Sequence, residues 1–239
     1  MAAAEEAAEL VAASAGDPER LEALVARRTS GEPLAWLVGS MAFCGVRVAV
    51  HPGVYVPRIQ SEALAHRAAG LLPAGGIAVD LCTGAGAIAS VLGSSAPATT
   101  VVATDVDPAA VACARANGVD ARLGHLDEPL PPALEGTVDV MTAVVPYVPT
   151  EALPLLPRDV VAFEPRRALD GGSGGLALLC EVVARSRRWL RPGGWLLLEL
   201  GGDQAGPVGT RMEAAGFVHV TVLHDEEGDD RGIEGRVGE

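Results

Sequence analysis

Asp80 sits in the apolar run Ile77-Ala78-Val79-Asp80-Leu81, and Cys82-Thr83-Gly84-Ala85-Gly86 follows directly. A strand, a glycine turn and a helix in that order form a nucleotide-cofactor turn. Glycine lets the backbone approach a ligand, and the helix start offers free N–H groups. Asp105 ends the next apolar run, where an acid accepts hydrogen bonds from both ribose hydroxyls. The plain alternative is an ordinary strand-to-helix turn with a capping Asp. The full G-x-G-x-x-G of dinucleotide oxidoreductases is missing, because Cys82 takes the first glycine position.

Composition narrows the chemistry further. The chain has 239 residues, with 31 acids against 18 bases and a net charge of −13. Every base is Arg, so a Schiff-base lysine, a P-loop lysine and a lysine general base are all excluded. Proton transfer would fall to Asp, Glu, His or Tyr. An acidic chain is a poor match for a phosphate backbone, so no nucleic-acid partner is expected. Cys44, Cys82, Cys113 and Cys180 lack C-x-x-C spacing and the five histidines lack ligand spacing, so no metal is expected. The start of the chain is acidic where a signal peptide is basic, and no run approaches the ~20 apolar residues of a membrane span. A cytoplasmic protein without a membrane partner is the expectation.

The elements that must position these residues follow from periodicity. Residues 4–13 and 17–28 read as helices, with Asp17 as N-cap and Pro18 first in the second helix. The pieces Val46–Val50 and Val54–Val56 read as a hairpin, followed by a helix over Ser61–Leu72. From Gly76 strands and helices alternate, which predicts a doubly wound α/β sheet. Its strands are read at Ile77–Leu81, Thr99–Thr104, Ala121–Leu123, Val138–Val145, Trp195–Leu200 and Val218–Leu223, with an antiparallel strand or tail at the end. A long helix is expected over Gly175–Leu190. The domain division is 1–72, a small helical and hairpin element, and 73–239, the α/β domain.

Read with their neighbours, these residues resemble the S-adenosylmethionine (SAM)-dependent N5-glutamine methyltransferases that modify peptide release factors. The resemblance covers about residues 20–237. It rests on Gly31-Glu32-Pro33-Leu34, Phe43-Cys44-Gly45, Val56-Pro57-Arg58 with Ser61-Glu62, the loop Asp80–Ala87, Pro146-Tyr147-Val148-Pro149, Glu164-Pro165, Ala168–Gly172, Gly175-Leu176, Arg191–Gly194 and Glu199. It implies a seven-stranded, Rossmann-like SAM-methyltransferase sheet. Thr83, Gly84, Gly86 and Asp105 would hold SAM, and Asp80 would orient its amino-acid end. Asp80, Glu164, Tyr147, Val144 and Pro146 are the implied catalytic positions.

Two departures stand out. The family's catalytic Asn, which accepts an N–H of the substrate amide while a nearby carbonyl takes the other, is Val144 here. The family's acid near the adenine amine is His125, with Asp127 two residues on. These departures leave three expectations open. One is SAM-dependent methyl transfer to an amine- or amide-bearing small molecule of specialised metabolism. The second is a SAM-independent enzyme in which Asp80 or Glu164 deprotonates an amine for intramolecular cyclisation. Its pocket would be lined by Asp80, Glu164, Glu62 and Tyr147, with Val144 as an apolar wall, and would suit a cationic small molecule. The third is a non-catalytic subunit with a protein partner.

Overall fold

The computed structural model describes residues 3–238; Met1, Ala2 and Glu239, which the domain division includes, lie outside them. Helices α1 (Ala3–Ser14), α2 (Pro18–Thr29) and α3 (Leu34–Val38) come first. Asp17 caps α2 as its sequence predicts, accepting the amides of Glu19 and Arg20 at 3.0 and 3.2 Å. Losing such a cap costs about 1 kcal/mol. Asp17→Ala is therefore expected to lower the thermal midpoint by a few degrees, read by melting, with the site untouched.

Strands β1 (Ser40–Phe43) and β2 (Val46–Ala49) form a separate hairpin, followed by α4 (Ser61–Leu71). This corrects the pairing expected from the sequence. Val46–Ala49 pairs backwards with Ser40–Phe43 rather than forwards with Val54–Val56. The reason is the two-residue turn Cys44-Gly45, where both residues have positive φ (48° and 74°), the backbone a tight hairpin needs. Val54 instead lies buried in a loop, and its carbonyl accepts the Trp36 indole N–H at 3.0 Å.

The remainder alternates strand and helix. The order is β3 (Ile77–Leu81), α5 (Ala87–Ser95), β4 (Thr100–Asp105), α6 (Pro108–Ala116), β5 (Asp120–Leu123), β6 (Val138–Ala143), α7 (Arg158–Phe163), α8 (Ala177–Ser186), β7 (Leu190–Glu199), α9 (Ala205–Ala214), β8 (Phe217–His224) and β9 (Asp230–Val237). One seven-stranded sheet results, in the order β5-β4-β3-β6-β7-β9-β8. Strands β3 to β7 are parallel, and β9 is antiparallel to both its neighbours. Side chains alternate across it. Val79, Leu81, Met141, Leu196 and Leu198 pack against Leu179 and Val183 of α8 and Val208 and Met212 of α9. Ala78, Val140 and Leu197 face Leu64 and Ala68 of α4, Ile88 and Leu92 of α5, and the hairpin. The core is aliphatic, as 49% hydrophobic but only 3% aromatic residues require.

Boundaries differ from the sequence reading most at α8 and β7. Helix α8 begins at Ala177, not Gly175, because Gly172, Gly174 and Gly175 all have positive φ. The segment Arg191–Gly194 is a bulge inside β7 rather than a turn before it: Val138 pairs with Leu190 and Val140 with Trp195. Among the described residues no helix is long and apolar enough to cross a membrane.

Candidate active site

The chain runs outward from β3 through β4 to β5, then returns to the other side of β3 as β6. Ligands of open α/β sheets bind where the strand order reverses, beyond the carboxyl ends. The loops after β3, β4 and β6 meet there around a cleft of about 170 Å³. Cys82, Gly84, Asp105 and Asp107 form one side, and Val144 to Val148 form the other. Pro165, Arg167, Ala168 and Leu169 reach over it from the loop after α7. Arg167 faces Asp107 across the cleft at 3.5 Å. A smaller cavity of about 40 Å³ adjoins it, lined by Asp80, Thr83, Ser61 and Phe43. Tyr55, Cys82, Gly84 and Val144 line both cavities.

The glycine turn is built around two carboxylates. Asp80 is buried, and accepts the hydroxyls of Thr83 at 2.6 Å and Thr142 at 2.7 Å. Thr142 is its register partner on β6, so the sheet itself supplies that bond. Burial raises the Asp80 carboxyl to about 6, and the two hydroxyls only partly offset this. Asp105 accepts the Gly84 amide at 2.9 Å and the Asp107 amide at 2.8 Å. Burial pushes its carboxyl up as well, against those amides. A carboxylate has about four lone-pair sites, so Asp105 keeps acceptor capacity facing the cleft. Gly84 has φ +55°, and a Cβ there would meet nothing within 4 Å. The turn therefore presents bare backbone to open space. Gly86 has φ +80°, and a Cβ there would press on Ala114 at 3.0 Å.

The opposite wall is held from behind. The Tyr147 hydroxyl donates to Glu199 at 2.8 Å and receives the Gln60 amide at 3.3 Å. Burial raises the Tyr147 phenol above its ordinary range, with the Glu199 charge adding to it. Burial likewise pushes Tyr55 up to about 12, with the Arg58 guanidinium 4.7 Å above its ring opposing the rise. Pro146 and Val144 face the cleft without a side-chain hydrogen bond to offer.

Two residues expected in the pocket are elsewhere. Glu164 pairs with Arg58 at 2.5 Å and accepts the Val56 amide at 3.3 Å. It ties the Val56-Pro57-Arg58 loop down and does not line either cavity. Glu62 accepts the Cys44 amide of the hairpin turn at 2.9 Å. Of the two bases that the cyclisation scheme offers, Asp80 lines the smaller cavity and Glu164 lines neither. His125 does reach the cleft, with Nε2 3.0 Å from Glu181. Asp127 does not, because it is committed to Arg185 at 2.8 Å and the Trp189 indole at 2.9 Å. Sequence reasoning missed Tyr55 and Arg167, which line the cleft. Glu199 was matched, yet its partner was not foreseen, although a lone acid ending an apolar strand is a visible signal.

A seven-stranded sheet of this order, with a glycine turn after β3 and an acid after β4, defines the SAM-dependent methyltransferase fold. Solved structures agree. A methyltransferase from Pyrococcus furiosus aligns with a TM-score of 0.58 at 21% identity, covering 80% of this chain and 90% of its own. A 16S rRNA N2 G1207 methyltransferase of T. thermophilus, in complex with AdoMet and guanosine, aligns with a TM-score of 0.55 at 21% identity, covering 84% of this chain and 44% of its own. The methyltransferase small domain family matches residues 46–126. The release factor glutamine methyltransferase of Geobacter sulfurreducens is 37% identical over 231 residues, covering 93% of this chain and 80% of its own. The chain belongs to the release factor glutamine methyltransferase family. That corrects one expectation: such relatives are named for a glutamine in a release factor, a protein, and not for a cationic small molecule of specialised metabolism.

Proposed function

We propose that this protein binds SAM in the cleft and transfers its methyl group to a side chain of a protein substrate, with a release factor glutamine as the acceptor. The observation that carries this is the cleft itself, which sets Gly84 and Asp105 opposite Val144–Val148. The residues present fit SAM. Asp105 has free acceptor sites for ribose hydroxyls, the Gly84 turn leaves its backbone open, and Val106, Leu126 and Leu178 make an apolar slot for a flat ring. Asp80, beneath the adjoining cavity, attracts an ammonium when ionised. Bound SAM supplies an already activated methyl group, so the protein's share is to orient the acceptor nitrogen and exclude water. The loop over the cleft, from Pro165 to Leu169, performs the second task. Val144 weakens the first, because valine accepts no N–H from an amide.

Val144 also favours a second acceptor, an uncharged amine on the protein substrate. Its nitrogen carries a directed lone pair and needs no amide clamp. Locating the methyl group by peptide mass spectrometry separates the two.

Isothermal titration with SAM tests the cofactor. One saturable site is expected; no heat together with no thermal shift would sink the reading. The pH dependence is a finer test. Folded Asp80 titrates near 6, against about 4 for an ordinary Asp. Between those values the folded chain holds a proton that the unfolded chain has released. The resulting stabilisation is present below about pH 4 and is lost as pH rises through 6. Ligand attraction runs the other way, since only the ion attracts an ammonium. SAM affinity is expected to weaken as pH falls through about 6, and Asp80→Asn is expected to flatten that profile. A wild-type profile flat from pH 5 to pH 8 would remove Asp80 from this role.

A further inference from the structure

Val144 to Val148 form the acceptor side of the cleft, and beside the Tyr147 hydroxyl bonds their backbone has a seat of its own. A Cβ at Gly171 would lie 2.7 Å from the Pro146 carbonyl oxygen. A Cβ at Gly175 would lie 2.0 Å from the Tyr147 carbonyl oxygen and 2.5 Å from Gln204 Nε2. Backbone therefore packs on backbone here. Gln204, buried just after β7, completes the junction. Its Nε2 donates to the Tyr147 carbonyl at 2.8 Å and to the Gly174 carbonyl at 3.1 Å. Its Oε1 accepts the Gly201 amide at 3.1 Å. The three bonds fix which way the amide faces, because a flipped Gln204 would set an oxygen against two carbonyl oxygens.

We infer that Gln204 is a positioning residue for methyl transfer, holding the loop Val144–Val148 at the distance from the glycine turn at which an acceptor nitrogen meets the methyl group. It touches neither cavity and acts through the Tyr147 carbonyl. One amide joins the exit of β7, the loop after β6 and the glycine segment before α8. A misplacement of about 1 Å at such a loop costs about 10²-fold in rate while leaving cofactor contacts intact.

This inference rests on the proposed function, and its test keeps the two separable. Gln204→Leu is combined with Val144→Asn in a double-mutant cycle of kcat for transfer to a release factor. Val144→Asn alone is expected to raise kcat, and that gain is expected to shrink to under about threefold in the Gln204→Leu background, because a clamp on a displaced loop grips nothing. SAM affinity, set by the opposite wall, is expected to hold in both backgrounds. A residue that only stabilised the fold would lower the melting point yet leave the gain whole. A full gain in both backgrounds, or SAM affinity falling in step with kcat, would overturn the inference. Amide hydrogen exchange supplies the second arm. In Gln204→Leu, faster exchange is expected over residues 144–150 and 171–175 with α5 and α6 unchanged; exchange like the wild type over those segments would also overturn it. If neither form transfers label to the release factor, the proposed function fails; if both transfer equally, position 144 does not orient the acceptor; in either case the exchange arm decides the role of Gln204.

Discussion

Val144→Asn is expected to raise methyl transfer to a release factor glutamine by about 10²-fold. The physical argument has two parts. A glutamine amide entering the cleft loses water, and Val144 offers its N–H nothing in return. A buried donor left unpaired costs about 1–3 kcal/mol, roughly 5- to 150-fold. The amide nitrogen must also turn its lone pair toward the methyl group, and one fixed acceptor restricts that rotation. Asn is close to Val in size, and Val144 is only half buried at the cleft wall, so the exchange requires little repacking. The gain is expected in kcat, since the interaction serves the reacting geometry, while SAM affinity stays within about threefold. Initial rates with labelled SAM measure it. Equal rates for both forms would show that position 144 does not govern acceptor orientation.

The second large effect is expected at Asp105. Asp105→Ala removes the acceptor proposed for two ribose hydroxyls, each hydrogen bond to a charged group being worth about 1.5–3 kcal/mol. It also frees the amides of Gly84 and Asp107, which Asp105 now holds at 2.9 and 2.8 Å. SAM affinity is expected to fall by at least about 10²-fold. Stability is expected to behave differently. Burial already pushes the Asp105 carboxyl up, so its ionised form burdens the fold at neutral pH. Removing it relieves that burden while releasing two amides, and the melting point is expected to move by only a few degrees. Calorimetric titration beside thermal melting reads both. A large drop in melting point with SAM affinity unchanged would make Asp105 a structural residue only.

The glycine turn and Asp105 were legible because their chemistry is local. A strand end, two glycines and an acid lie in one stretch, and the next strand delivers the second acid. The capping residue Asp17 was legible for the same reason. The hairpin was misread because two positive-φ residues, Cys44 and Gly45, decide its register, and a cysteine gives no turn signal. Glu164 was misplaced because its partner Arg58 is 106 residues away in sequence. A buried acid reads as reactive until its counter-ion is seen. The Arg58 loop anchor follows from that pairing. Gln204 carries no sequence signal at all, since its role exists only where three separate backbone segments converge. Val144 by itself points away from a glutamine acceptor, because it removes the amide clamp, whereas the remaining motifs align with release factor methyltransferases.

The missing lysine keeps its meaning in this cleft. Among the side chains lining the main cavity, only Asp105, Asp107, His125, Arg167 and the two tyrosines ionise besides the Cys82 thiol. Burial raises that thiol well above its ordinary range, so it stays protonated. In the proposed reaction the site holds and orients, and the activated methyl group of SAM would carry the chemistry.

The most direct test is transfer from labelled SAM to a purified release factor, with wild-type protein and Val144→Asn side by side and the methyl group located by peptide mass spectrometry. The result predicted is label on a release factor glutamine with both forms, and faster with Val144→Asn. SAM bound in the cleft with no label reaching the release factor from either form would contradict it.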